Sequence, residues 1–151
     1  MKNIIIFDLD GTLALIDKRR ELARKPNGKI DFDKLHDASL IKHDKPNWPV
    51  IKIAQLFAEQ EFKIVIFSGR SDKTATETVS WLSQNKVPFN KLVMRPYKTK
   101  NFVPDEVLKK DMLDKHLDIN DIFMVVDDRQ KVVDMWRSLG LICLQVADGN
   151  F

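Results

Sequence analysis

One cysteine stands in 151 residues, Cys143, so no disulfide can close within the chain, and a lone thiol fits a reducing compartment. No apolar run approaches the roughly 20 residues that cross a bilayer. Asp8 interrupts the first apolar run too early for a secretory leader. Internal repeats, linkers and low-complexity tracts are absent. The three histidines, His36, His43 and His116, lack ligand spacing and read as exposed. A strong charge of one sign is missing as well: 25 Lys and Arg stand against 22 Asp and Glu, a net charge of +3, with a pI near 8.9. This mild basicity favours an anionic substrate without establishing nucleic-acid binding. What remains is an expected cytoplasmic domain, residues 1–151, long enough to bury its own core and making no use of a membrane.

The stretch that organises the rest runs from Ile4 to Thr12. Ile4-Ile5-Ile6-Phe7 reads as a buried strand, followed at once by Asp8-Leu9-Asp10-Gly11-Thr12. Strand interiors do not welcome Asp, and Asp-Gly is a turn signal, so both acids belong where the strand ends. Residues 13–47 show no strong period. Their basic run, Lys18, Arg19, Arg20, Arg24, Lys25 and Lys29, belongs either to a small cap-like insert over the sheet end or to a solvated face.

Beyond Asn47 the pattern sharpens. Apolar residues at helical spacing predict a helix to about Gln60, and Phe62–Phe67 a strand ending in Ser68-Gly69-Arg70. A helix to about Asn85 follows, capped by Ser71 or Asp72, and then a short strand at Leu92–Met94. Pro104 opens a helix whose acids (Asp105, Glu106) and bases (Lys115, His116) complement its dipole. Ile122–Val126 is the fourth strand, ending in Asp127-Asp128. A helix through Trp136 stops at Gly140, and Leu141–Val146 makes the fifth strand. Trp48, Trp81 and Trp136 fall at apolar helical positions and read as core rather than base-stacking platforms, and Cys143 as inert packing. Continuously apolar strands alternating with helices predict a doubly wound, Rossmann-like α/β fold: a parallel five-stranded sheet with helices on both faces.

A parallel sheet brings Asp8 and Asp10, Ser68 and Arg70, and Asp127 and Asp128 to one edge, where ligands bind in such sheets. Four carboxylates in one crevice repel each other and call for a cation. An oxygen-only donor set favours a hard ion such as Mg²⁺, which draws in a phosphate. Thr12, Ser68, the amides after Asp8 and a lysine of the Pro104 helix can supply further donors. An Asp-Gly turn with a capping acid is the plainer reading of Asp8 and Asp10, and it weakens beside Asp127-Asp128. A calcium loop would want Asp or Asn where Thr12 stands.

Asp8-x-Asp10-Gly11-Thr12, Ser68-Gly69-Arg70, Lys109 and Asp127-Asp128-Arg129 together resemble the four motifs of the haloacid dehalogenase-type phosphatases, across nearly the whole chain. Ser68-Gly69-Arg70, Val93-Met94-Arg95-Pro96, residues 127–137 and the tail 145–151 resemble more closely the 3′-phosphatase domain of the phage polynucleotide kinase-phosphatase family. No G-x-x-x-x-G-K-[S/T] is present, so kinase activity is not expected.

The resemblance implies Asp8 as nucleophile and Asp10 as proton donor and then base. It implies Mg²⁺ on Asp8, the Asp10 carbonyl, and one or both of Asp127 and Asp128, with Ser68 and Lys109 on phosphoryl oxygens. Preferring Lys109 to Lys110 rests on the resemblance alone. Thr12, Gly69 and Arg70 complete the phosphate-binding set. Arg95 and Arg129 either bind substrate or brace acids. The implied activity is an aspartyl-phosphate phosphomonoesterase acting on polynucleotide 3′ ends, with the basic insert and the Lys98-Thr99-Lys100 loop aiding. A small-molecule phosphatase, for a nucleoside monophosphate or sugar phosphate, is the enzymatic alternative. A non-catalytic module that binds nucleic-acid ends is the rival from another class.

Overall fold

A computed structural model describes residues 1–98 and 102–151. Of the Lys98-Thr99-Lys100 loop, Thr99 and Lys100 therefore lie outside the described residues. The fold is α/β. Five parallel strands form its sheet: β1 (Ile4–Phe7), β4 (Lys63–Ser71), β5 (Lys91–Arg95), β6 (Ile122–Asp127) and β7 (Cys143–Gln145), in the order β5-β4-β1-β6-β7. β1 is central, with Ile5 opposite Ile64 on one side and Met124 on the other. The chain winds outward from β1 through β4 to β5, then returns to lay β6 on the other side. The reversal leaves a crevice beyond the strand carboxyl ends.

Alternation along β1 feeds two cores. Ile5 and Phe7 pack beneath α3 (Trp48–Glu59) and α4 (Ala75–Gln84), with Ile51, Ala54, Trp81 and Leu82. Ile4 and Ile6 face α5 (Asp105–His116) and α6 (Gln130–Ser138), with Leu108, Met112, Val132 and Trp136. Both faces are thus covered, which is why the strands carry no polar face.

Residues 13–47 do have structure of their own. β2 (Ala14–Leu15) pairs antiparallel with β3 (Lys45–Pro46), enclosing α1 (Asp17–Leu22), α2 (Phe32–Leu35) and a 3₁₀ segment, Ala38–His43. Asp31 caps α2 through the Lys34 amide, and Asp37 caps the 3₁₀ segment through the Ser39 amide.

Three details depart from expectation. β4 does not stop at Phe67: it runs through Ser68-Gly69-Arg70 to Ser71, because Arg95 of β5 pairs with Ser71 across a bulge. β7 is limited to Cys143–Gln145. Trp48 is not core. It sits at the start of α3, 55% exposed, whereas Trp81 and Trp136 are buried. Among the described residues no helix is long and apolar enough to cross a membrane.

Ile51 is fully buried between α3 and the sheet. Ile51→Ala is expected to lower stability by about 2–5 kcal/mol, read from urea unfolding midpoints, through lost transfer energy and the cavity left behind. Burial, with the Asp127 charge added, pushes the Cys143 thiol up to about 12. Alkylation at pH 8 should therefore leave the native protein unmodified and label it only after unfolding.

Candidate active site

The loop after β1 is shaped by backbone hydrogen bonds before any side chain matters. The Asp8 amide donates to the Val126 carbonyl at 2.9 Å, pinning the strand exit to β6. The Leu9 carbonyl then accepts from the amides of Thr12 (3.2 Å), Leu13 (3.0 Å) and Ala14 (2.9 Å), which folds the segment back on itself. Gly11 makes this possible. Its φ is +86°, and a Cβ there would collide with the Asp128 carboxylate.

That turn delivers Asp8 to a cluster. Asp8, Asp127 and Asp128 are all buried, and one carboxylate oxygen from each lies within 4.8 Å of the others. The Thr12 hydroxyl donates to Asp8 Oδ2 at 2.9 Å and reaches Asp128 Oδ1 at 3.4 Å. Lys109, on the buried face of α5, donates from Nζ to Asp8 Oδ1 (2.7 Å) and Asp127 Oδ2 (2.8 Å). Lys110 points away, to exposed Asp114. Asp127 Oδ1 also accepts the amides of Asp128 (2.9 Å) and Arg129 (3.3 Å).

Three carboxylates against one ammonium leave the cluster two negative charges in excess when all are ionised. Burial pushes Asp8 well above the usual carboxylate range. Lys109 opposes that shift, and the neighbouring acids add to it. Burial and Asp127 likewise raise Asp128. Lys109 is raised too: burial disfavours its ammonium, but Asp127 and Asp8 more than compensate. A cluster with this surplus, made of oxygen donors alone, is one that could hold a divalent cation.

Asp10 projects elsewhere. Its Oδ1 accepts from Arg19 Nη2 (2.8 Å), Arg70 Nε (2.9 Å) and Arg70 Nη2 (2.6 Å). Behind it, Asp44 takes Arg19 through both oxygens (2.9 Å each) and Arg70 Nη2 at 2.7 Å. Two acids and two guanidiniums thus form a neutral square, buried except at the partly exposed Asp10. Burial pushes Asp10 up, but Arg70 and Arg19 outweigh it and hold the carboxyl at about 2. Arg70 is spanned by Asp10, Asp44 and the Thr78 hydroxyl, so its guanidinium serves these neighbours.

The remaining expected site residues fall on the same rim. The Ser68 hydroxyl accepts the Arg70 amide at 3.1 Å. Gly69 lies against Asp105, whose carboxylate a Cβ would crowd at 2.9 Å. Asp105 pairs with Arg95 (2.6 Å) and Arg129 (3.0 Å), so both arginines brace an acid. Among the described residues, no buried side-chain polar atom lacks a partner. The tail closes the rim. Gly149 gives its carbonyl to the Gln130 amide (3.0 Å) at the start of α6, and a Cβ on it would collide with the Asp128 carbonyl.

Sequence reasoning missed three of these residues. Arg19 lies inside a basic run, where nothing marks one cation as buried. Asp44 stands in a segment without period. Asp105 carried only the signature of a helix start. No signal in the sequence singled them out, since the four acids at β1 and β6 already stood beside four expected cations, Arg70, Arg95, Lys109 and Arg129.

Known proteins resemble the chain over its whole length. The family model for the polynucleotide kinase PNKP phosphatase domain matches residues 2–151. A chain in the solved Pnkp1/Rnl/Hen1 complex is 30% identical, with a TM-score of 0.81, covering 100% of this chain and 48% of that one. A chain in the Pnkp1/Rnl/Hen1 RNA repair complex is also 30% identical, with a TM-score of 0.79, covering 98% and 43%. This chain therefore spans about half the length of those relatives. A haloacid dehalogenase-like hydrolase from Streptococcus pneumoniae shares the fold at 14% identity, with a TM-score of 0.67 and coverage of 95% and 83%.

Lys109→Ala leaves three buried acids facing one another. It should destabilise the protein by about 3–5 kcal/mol, and added Mg²⁺ should raise the variant's Tm more than that of the wild type. Asp10, depressed from 3.8 to about 2, contributes stability that is complete above its unfolded pKa and lost as pH falls through about 2. The stability gap between wild type and Asp10→Asn, from urea unfolding, should therefore be full above pH 4 and shrink on further acidification.

Proposed function

The chain belongs to the PNKP phosphatase-domain family and is a haloacid dehalogenase-type phosphatase; on that footing we propose that it removes 3′-phosphates from polynucleotide ends through an aspartyl-phosphate. The observation that carries the reading is the cluster at the end of β1, with Asp8 held by Lys109 and Thr12 beside Asp127 and Asp128. The family description, and the RNA repair assembly in which a 30% identical chain occurs, support a nucleic-acid substrate.

Asp8, Asp127 and Asp128, with the Asp10 backbone carbonyl, would hold Mg²⁺. When bound, the ion supplies a positive counterweight to phosphate dianions in a crevice of acids. Asp8 presents a carboxylate oxygen to phosphorus. The P–O bond to the sugar breaks as the Asp8–phosphorus bond forms, and water later releases inorganic phosphate and restores Asp8. Lys109 aims Asp8 and balances charge on the peripheral oxygens of a loose transition state. Ser68 accepts the Arg70 amide, which leaves its hydroxyl hydrogen for a phosphoryl oxygen.

Asp10 donates a proton to the departing sugar oxygen, then takes one from the attacking water. Ionised by Arg19 and Arg70 in the free enzyme, it suits the second step as it stands. For the first, the arriving phosphate brings negative charge beside it and shifts the carboxyl toward its protonated form. Arg70 and Arg19 orient Asp10, Arg95 and Arg129 orient Asp105, and residues 13–47 act as a small cap that carries Arg19 and Asp44 to the crevice.

The test is phosphate release, with Mg²⁺, from DNA and RNA oligonucleotides phosphorylated at the 3′ or the 5′ end, and from free mononucleotides and sugar phosphates. Release from 3′ ends in preference to the others is expected, abolished by chelation and lowered at least about 10³-fold in Asp8→Asn. Preference for free mononucleotides would move the substrate to small phosphomonoesters. No release from any of them would leave only an end-binding module.

A further inference from the structure

Along the crevice rim runs a second pattern that the phosphoryl chemistry does not use. The Phe151 ring is 48% exposed and has two guanidiniums against it, with Arg20 4.8 Å and Arg129 5.3 Å from its centroid. Arg20 belongs to α1 of the insert, and Arg129 follows Asp128 directly. Arg129 also donates to the Phe151 carbonyl (2.9 Å) and to Asp105 (3.0 Å). The other oxygen of Asp105 accepts from Arg95 (2.6 Å), and Arg95 lies 5.6 Å from the ring of Phe102, 85% exposed. Phe102, Arg95, Asp105, Arg129, Phe151 and Arg20 thus make one continuous row. It is fastened to the catalytic rim at Gly69, whose carbonyl accepts from Arg95 (3.1 Å), and at Asp128.

Three features of this row point the same way. Exposed phenyl rings gain nothing from water, and these are held in place by Arg129 and Arg95, which Asp105 clamps, so the parts of the rings left open to solvent are ordered in advance. Arg95 and Arg129 share the one carboxylate of Asp105, and Arg20 adds a third guanidinium at the Phe151 ring, so the row carries surplus positive charge where a sugar-phosphate backbone would lie. Aromatic faces alternating with cations suit a single strand, because bases stack on rings and phosphates meet cations, independently of sequence. A paired duplex end offers no free base face. A phosphate without a base uses none of the row.

We propose that this row is a stacking ledge for the nucleobases on the 5′ side of the terminal phosphate, selecting single-stranded polynucleotide ends. The inference rests on the 3′-phosphatase reading. The test compares kcat/KM for a 3′-phosphorylated single-stranded oligonucleotide with that for the same strand made abasic at its last two nucleotides. In the wild type, removing the bases should cost about tenfold or more, chiefly through KM. In Phe151→Ala that penalty should shrink to about twofold or less, and Phe151→Trp should restore it. Phe102→Ala, at a more exposed position, should shrink it independently should Phe151→Ala fold poorly. A wild type that releases phosphate equally from both strands overturns the ledge and leaves the phosphatase reading standing, and so does a full penalty retained in both alanine variants. A wild type that releases phosphate from neither strand overturns the 3′-phosphatase reading and the ledge with it.

Discussion

Buried charge must find opposite charge at short range, and the crevice of this protein meets that demand in two different ways. On the Asp10 side the account closes within the chain: Asp10 and Asp44 face Arg19 and Arg70 in a square of hydrogen-bonded ion pairs. On the Asp8 side it stays open, with Lys109 alone among the described residues against Asp8, Asp127 and Asp128. The closed half can be rigid without help. The open half has reason to bind a cation and, beyond it, an anion. Two residues of one turn thereby acquire opposite environments, and the pKa shifts of Asp8 and Asp10 run in opposite directions.

The sheet was legible because its strands speak one language throughout. Ile4–Phe7, Ile64–Phe67 and Ile122–Val126 are continuous apolar runs, which only a strand covered on both faces can use, and the acids after them lie where such strands must end. Lys109 was reachable only through family resemblance, since period alone cannot tell it from Lys110; in the fold, one helical step decides between the cluster and solvent. Arg19, Asp44 and Asp105 were not legible. Each acquires its role from a partner distant in sequence, and neither a basic run nor a helix start announces that partner. Trp48 erred the other way: an apolar residue at helical phase, left exposed because the first turn of α3 projects beyond the core.

The insert matters less as a lid than as a supplier. Its strand pair, β2 with β3, returns the chain so that Asp44 arrives behind Asp10. The Trp81 indole then secures the Asp44 carbonyl at 3.0 Å. The core helix α4 thus holds the insert, and the insert holds Asp10. A protein without this segment would keep the acidic cluster and lose the environment that separates Asp10 from it.

The strand bearing Asp8 has no neighbour close to it in sequence: Ile4 lies opposite Lys63 on one flank and Ile122 on the other. Parallel pairings over such spans close large loops before they return any favourable contact, which makes them late and slow events in folding. The surroundings of Asp8 are therefore among the last features to take shape as the chain folds. A half-formed sheet holding β4 and β5 can be compact and still chemically inert, so competence arrives together with the complete topology.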